Sequence, residues 1–206
     1  STKWIEKRAQ VTADNEKWEK SEVEVELIDA KGVAALRKND TKKVRMFNIW
    51  ATWCGPCVKE FPELVATSRK FGLRDFEFIS ISMDDPKELP AVKAFLEKHN
   101  AIVPDKLKPS LKAEGRKGNA YVFSESNSDA LIAALDPEWE GPIPHTLVVA
   151  GENARVSIVE YFGSANDTEA QLAVAASVGT RSTAGPATVA LAAGERAALA
   201  AITDIP

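Results

Sequence analysis

Cysteine and histidine are scarce in this sequence, with two of each in 206 residues. Two cysteines exclude a disulfide-dense scaffold and a four-cysteine zinc site. His99 and His145 are the histidines, and no HExxH helix occurs. No apolar run approaches the roughly eighteen residues that a membrane helix needs. Basic charge is not in excess: Lys plus Arg is 26 against 30 for Asp plus Glu, a net −4. With a pI near 5.4, no general nucleic-acid footprint is expected. A phosphate loop, a dinucleotide fingerprint and a Ser-His-Asp order are all missing. The chain opens Ser1-Thr2-Lys3-Trp4, with neither an initiating Met nor a basic-then-apolar leader. The expectation is a processed or trimmed form whose targeting signal is not visible.

What is present is the composition of a folded domain, 45% hydrophobic and 27% charged. Residues 1–22 are polar with scattered Trp4, Ile5, Val11 and Trp18, and read as an arm or marginal helix. Residues 23–28 alternate apolar and charged, as a half-buried edge strand does. Residues 29–38 read as a short helix capped by Asp29. Residues 44–50 are largely apolar and predict a central strand buried on both faces. A helix should follow over 55–71, its apolar positions Val58, Phe61, Leu64 and Val65 at helical spacing and Pro62 inside it. Residues 76–82 predict another strand. Asp85, Pro86 and Glu88 then start a helix running to about Lys98. Alternating strands and helices imply a parallel sheet with right-handed crossovers. Residues 103–119 carry Lys106, Lys108, Lys112, Arg116 and Lys117 and read as an exposed basic loop. A short strand over 120–123 and a helix over 127–135 follow. Residues 146–150 and 155–162 read as an antiparallel hairpin. About a third of residues 165–206 are Ala, which predicts helices near 168–177 and 187–202. The division expected is an arm at 1–22, a domain at 23–178 and an appendage at 179–206.

The sharpest feature is Trp53-Cys54-Gly55-Pro56-Cys57, after a predicted strand and opening a predicted helix. Strand–CxxC–helix is the pattern of a dithiol redox site. Unpaired N–H groups and the positive dipole end at a helix start favour a thiolate on Cys54. Cys57, three residues on, shares its helical face, so the sulfurs can bridge. Cys54 is then the exposed nucleophile and Cys57 the shielded resolving thiol. The alternatives are two buried free cysteines or half of a metal site. A zinc site needs two more ligands, for which the sequence offers His99 and His145 as nitrogens. Asn39-Asp-Thr and Asn166-Asp-Thr fit the glycosylation triplet, a pattern common by chance.

At these residues the chain resembles the thioredoxin superfamily. Phe-Asn-Ile-Trp-Ala-Thr-Trp-Cys at 47–54, continuing through Cys57-Val-Lys-Glu60-Phe-Pro-Glu-Leu, is similar to its TlpA/ResA group of thiol–disulfide oxidoreductases. Pro144-His145-Thr146-Leu-Val-Val looks like the superfamily's cis-proline strand. The likeness covers roughly 23–178 and is absent from the tail. It implies a thioredoxin-like α/β fold: a central mixed sheet flanked by helices, with an N-terminal arm and an Ala-rich C-terminal appendage. It implies a cis Pro144 lying against the disulfide, with Ile143 shaping the substrate-facing backbone, and a rim of Trp53, Gly55 and Pro56. Thioredoxin itself has an Asp where Asn48 stands here. Asn48 cannot titrate, and Glu60 is the group's substitute for moving protons at Cys57. Burial should raise its pKa; the plainer reading is a solvent-facing helical Glu. His145 is expected half-exposed at a strand start, or else near the thiols. Trp50 is expected in the core and Trp139 packed on the loop before Pro144.

The expected activity is thiol–disulfide exchange, reducing protein disulfides with neither a metal nor an organic cofactor. Partners are protein thiol and disulfide substrates, apocytochrome c among them, and an upstream thiol electron donor. The resemblance implies a bacterial periplasm or an outward-facing membrane surface. Three rivals stand beside it. A copper metallochaperone would hold Cu(I) on both thiols and His145. A thiol peroxidase would need Thr-x-x-Cys, and Ala51 stands three residues before Cys54. An interaction module would use the redox pair only to switch binding.

Overall fold

The computed structural model describes residues 23–151 except Leu73, and beyond them the backbone of strands at 155–162, 171–179, 187–191 and 197–203. The readings for residues 1–22 and for Asn166 lie outside the described residues.

β1 (Val25–Ile28) leads into α1 (Ala30–Lys38), whose cap is Asp29, its Oδ1 accepting from the Gly32 amide. β2 (Val44–Trp50) is buried at every position and runs into α2 (Gly55–Lys70), one continuous helix across Pro62. β3 (Phe76–Ser82) is likewise wholly buried. The next helix starts as a 3₁₀ turn at Pro86–Glu88, with Asp85 accepting from the Lys87 amide, before α3 (Leu89–Lys98). Pro90, in the first turn of α3, has no amide to extend an α-helical ladder backwards. α4 (Lys108–Ala113), β4 (Ala120–Phe123), α5 (Ser128–Leu135) and β5 (His145–Ala150) complete this part. Later come β6 (Arg155–Phe162), β7 (Gln171–Gly179), β8 (Ala187–Leu191) and β9 (Ala197–Thr203).

The main sheet has the order β1-β4-β3-β2-β5-β8. β1, β4, β3 and β2 pair in parallel, and β5 runs antiparallel to β2. This is the mixed, helix-flanked sheet of the thioredoxin-like fold. Alternation along β2 divides the core in two. Val44, Met46 and Trp50 join Cys57, Phe61, Leu64, Val92 and Leu96 under α2 and α3. Phe47 and Ile49 join Val33, Leu36, Leu131 and Leu135 under α1 and α5. Covering both faces is why the sequence of β2 reads as a largely apolar run rather than an alternation.

Three expectations are corrected. β5 and β6 do not form a hairpin: β5 pairs with β8, and β6 lies between β7 and β9 in a second antiparallel sheet. The Ala-rich tail forms strands where helices were expected. Its Val, Ile and Thr residues favour strands, and pairing partners override the weak helical preference of Ala. Residues 103–119 are not simply a solvated loop. They contain α4, and although Lys106, Lys108, Lys112 and Lys117 are exposed, Arg116 turns inward.

Arg116 joins an ion cluster at the start of β2 and β3. Arg45 Nε and Lys43 Nζ lie 3.0 and 3.4 Å from Glu77 Oε2, and Arg116 Nη2 holds Oε1 of the same carboxylate. Glu114 bonds Lys43, Arg45 and Arg116. Arg45 also donates to the Leu36 carbonyl, and Arg116 to the Tyr121 hydroxyl. Glu77 is 0% exposed. Burial alone would raise its pKa, but Arg116, Arg45 and Lys43 outweigh that and hold it below the ordinary value. Asn39 is also buried, its amide donating to the Lys43 and Val149 carbonyls, so this triplet is no glycan acceptor.

Candidate active site

The backbone leaves β2 through Ala51-Thr52-Trp53 and enters α2 at Cys54, which serves as its N-cap. The Cys54 amide donates to the Ala51 carbonyl, closing this turn, and Val58 N–H donates to the Cys54 carbonyl. Cys54 and Cys57 form a disulfide with Cα atoms 5.3 Å apart. Cys54 is 6% exposed and Cys57 0%, so both lie buried, Cys54 the less covered of the two, where an exposed Cys54 was expected. The Cys57 amide points at Cys54 Sγ, 3.3 Å away. After reduction, that N–H and the helix start would stabilise a Cys54 thiolate.

Trp53 is 67% exposed beside the pair. Gly55 and Pro56 are exposed at the first turn. A Cβ on Gly55 would meet nothing within 4 Å, so this glycine leaves open surface and is not needed to fit the fold. Trp50 is buried and donates its indole N–H to Ser80 Oγ.

A second segment completes the site. The Ile143–Pro144 peptide is cis, and Cys54 Sγ lies 3.8 Å from the Ile143 carbonyl oxygen. Gly141, at φ +100°, makes the turn that precedes it. Trp139 donates its indole N–H to the Pro142 carbonyl, as its position before the loop suggested. Its ring stacks on His145 at 4.6 Å, nearly parallel.

His145 departs from both expectations. It is 5% exposed, and it pairs with Ile49, whose side chain belongs to the α1/α5 face. Nε2 of the ring lies 3.1 Å from Asp136 Oδ2. Burial pushes its pKa down, against the pull of Asp136. Period-two alternation therefore turns His145 away from α2, and the Cys54–Cys57–His145 ligand set for copper is not assembled. His99 caps the end of α3, its ring 4.5 Å from that of Phe95.

Glu60 is partly buried, one helical turn beyond Cys57. Burial raises its pKa, opposed by a hydrogen bond from Asn48. Asn48 Nδ2 donates to Glu60 Oε1 at 3.3 Å and to Thr146 Oγ1 at 3.2 Å. The plain solvent-facing reading of Glu60 is thus replaced by a carboxylate turned toward the sheet. Thr146 carried no sequence signal beyond its place after the cis proline.

Asp84 was also missed, because Asp85 beside it gave the obvious helix cap. Asp84 is 4% exposed. Its carboxylate accepts from the Thr52 amide, the Thr52 hydroxyl and the Ser82 hydroxyl. These bonds tie the Ala51–Cys54 turn to the end of β3. Asp84→Ala should take the acceptor from the buried Ser82 hydroxyl and from the half-buried Thr52 amide and hydroxyl, lower stability by about 3 kcal/mol and loosen Trp53. Denaturant unfolding and tryptophan fluorescence anisotropy would measure both effects; an unchanged midpoint and anisotropy would show that the turn holds itself.

The redoxin family model matches residues 25–173. The thiol-disulfide oxidoreductase ResA of Bacillus subtilis is 30% identical over 80 residues, which covers 39% of this chain and 38% of that protein. The aligned part is thus well under half of the relative's length. Among solved structures, a thiol:disulfide interchange protein of the thioredoxin family from Chlorobium tepidum is 25% identical over 56% of this chain and 65% of its own, with a TM-score of 0.38. A thiol:disulfide interchange protein from a Bacteroides species is 20% identical over 60% and 68% of the two chains, with a TM-score of 0.35. With most of its length matched by the family model and its helix-flanked sheet carrying a CxxC disulfide at a helix start, the chain belongs to the redoxin family.

Proposed function

We propose that this protein is a thiol–disulfide oxidoreductase that reduces disulfides in protein substrates. The carrying observation is the Cys54–Cys57 disulfide at the start of α2, beside the cis Ile143–Pro144 peptide. In the reduced enzyme, the Cys54 thiolate attacks one sulfur of a substrate disulfide. The substrate S–S bond breaks, its leaving sulfur departs as a thiolate, and a Cys54–substrate bond forms. Cys57 gives its proton to the Glu60 carboxylate and attacks Cys54 Sγ. The second substrate sulfur leaves, taking up a proton, and the enzyme disulfide is restored. Two electrons have moved from the cysteine pair to the substrate. An upstream thiol donor returns them; neither a metal nor an organic cofactor takes part.

An extended substrate segment would lie along the Ile143 backbone, against Trp53, Gly55 and Pro56. Envelope proteins, apocytochrome c among them, are the substrates that the TlpA/ResA resemblance suggests, with a bacterial periplasm or outward-facing membrane surface as the setting. The division into an arm at 1–22, a domain at 23–178 and an appendage at 179–206 is proposed with it. The position of His145 gives the copper reading no support, and Ala51 gives none to the peroxidase.

The reduction potential of the pair tests the direction. Equilibration in thiol buffers, followed by tryptophan fluorescence, should give a value near or below roughly −230 mV. A value of about −120 to −180 mV would instead indicate an oxidase or isomerase. Failure to form the disulfide in any buffer would sink the redox reading.

Glu60→Gln should slow the resolving step about 100-fold. It should also raise stability at neutral pH. Because the folded pKa of Glu60 lies above its unfolded value, the ionised group costs stability once pH exceeds that folded pKa. Stopped-flow mixed-disulfide decay and thermal melts would read the two effects, and unaltered decay would remove Glu60 from the mechanism.

A further inference from the structure

Asn48 is 0% exposed, and its Oδ1 has no hydrogen-bond partner. A buried acceptor without a donor is costly and calls for a reason. The rest of the amide is well engaged. β2 and β5 pair Asn48 directly with Thr146, and Nδ2 donates to both Thr146 Oγ1 and Glu60 Oε1. The donor side of the amide thus faces a carboxylate and a hydroxyl, while the acceptor side faces no donor.

This arrangement suits only one protonation state of Glu60. An ionised carboxylate accepts from Nδ2. A protonated carboxyl has an O–H to give, and the group able to take it is Oδ1, on the same amide carbon. A half-turn about the Asn48 side chain exchanges the two. The Thr146 hydroxyl fits both states, since it can accept from Nδ2 or donate to Oδ1. We propose that Asn48, steadied by Thr146, is a positioning residue that follows the proton on Glu60, donating to the carboxylate and turning to accept from the acid. The inference rests on the reading of Glu60 as the proton acceptor for Cys57. When the Cys57 proton arrives, the amide turns and its orphan oxygen gains a donor. When the proton leaves with the substrate thiol, the amide turns back.

The groups around Glu60 leave this bond a clear signal. On α2, Lys59 and Glu63 flank it, and Cys57 precedes it by one turn; β2 contributes Asn48 and β5 contributes Thr146. Burial acts most strongly on the carboxyl and the Asn48 bond opposes it, with no charged group adding to the two among the described residues.

The test is an NMR titration of the Glu60 side-chain carboxyl in the oxidised protein, with the pH profile of disulfide reduction measured alongside. Asn48→Leu should raise the Glu60 midpoint by about one pH unit, a tenfold gain in proton affinity. The acid limb of the rate profile should move by the same amount, because the carboxylate is the form that takes the proton. Thr146→Val should shift both in the same direction by less. In a Glu60→Gln background, Asn48→Leu should leave the profile where it was. Wild-type titration in both variants would overturn the proposal. Should Asn48→Leu fail to fold, Thr146→Val decides alone: a shift supports the proposal and no shift overturns it. If Glu60→Gln leaves the wild-type profile unchanged, the reading of Glu60 fails; if it alters the profile while neither variant moves it, only this inference fails.

Discussion

Cys57→Ser should convert the protein into a trap for its substrate. The Cys54 thiolate would still attack a disulfide, but the serine hydroxyl cannot displace the mixed bond. Turnover should fall at least about 10³-fold, while a covalent adduct accumulates and is visible by non-reducing electrophoresis and mass spectrometry. Cys54→Ser should lose turnover equally without an adduct, because Cys57 is wholly buried in the fold. The asymmetry arises from where the two residues sit: Cys54 caps α2 and keeps a slight exposure, and Cys57 lies inside its first turn with none. An adduct through Cys57, or equal trapping by both variants, would reverse the assigned roles. Adducts recovered from envelope extracts would also identify substrates.

Glu77→Gln should cost about 3–5 kcal/mol, enough to lower the melting temperature by roughly ten degrees. The reason is the company the carboxylate keeps. Lys43, Arg45 and Arg116 have side chains 8%, 3% and 10% exposed and converge on Glu77 and Glu114. Removing one carboxylate leaves three buried cations sharing the other, without water to replace it. Glu114→Gln should cost less, because that side chain is 23% exposed. The same cluster sets acid sensitivity. Burial pushes the Glu114 carboxyl up, but Lys43, Arg116 and Arg45 bring it down from 4.5 to about 2. A depressed carboxylate contributes its full stability above the unfolded pKa and loses it as pH falls through the folded one. Stability should therefore decline between about 4.5 and about 2, and Glu114→Gln should flatten that decline. A Glu77→Gln protein melting within two degrees or so of wild type would mean that the cluster breaks even against its desolvation.

Both predictions depend on residues of very different legibility. Cys54 and Cys57 announce themselves, since a CxxC pair between an apolar strand and an amphipathic run has one chemical use above others. The order of elements from β1 to β5 apart from α4, the Asp29 cap and the two-sided burial of β2 were equally open to reading, because local periodicity and capping are properties of neighbouring residues. Glu77 was not. Within Phe-Glu-Phe-Ile-Ser-Ile-Ser it looks like the outward position of a half-buried strand, and its three cations come from 34, 32 and 39 residues away.

Sequence alone determined the α/β class and the Cys54–Cys57 pair at a helix start, while Glu60 came from the family resemblance. It determined the class and the pair because each depends on spacing along one helix or one strand–helix junction. Tertiary structure decided the rest. It turned Arg116 inward, bound Asp84 to the turn before Cys54, and faced His145 away from the thiols while bringing Asn48, bonded to Thr146, onto Glu60. It also laid β8 beside β5 where local Ala content favoured a helix. Those outcomes depend on strand register and on which face each pleat presents, and register is fixed by residues far apart in the chain.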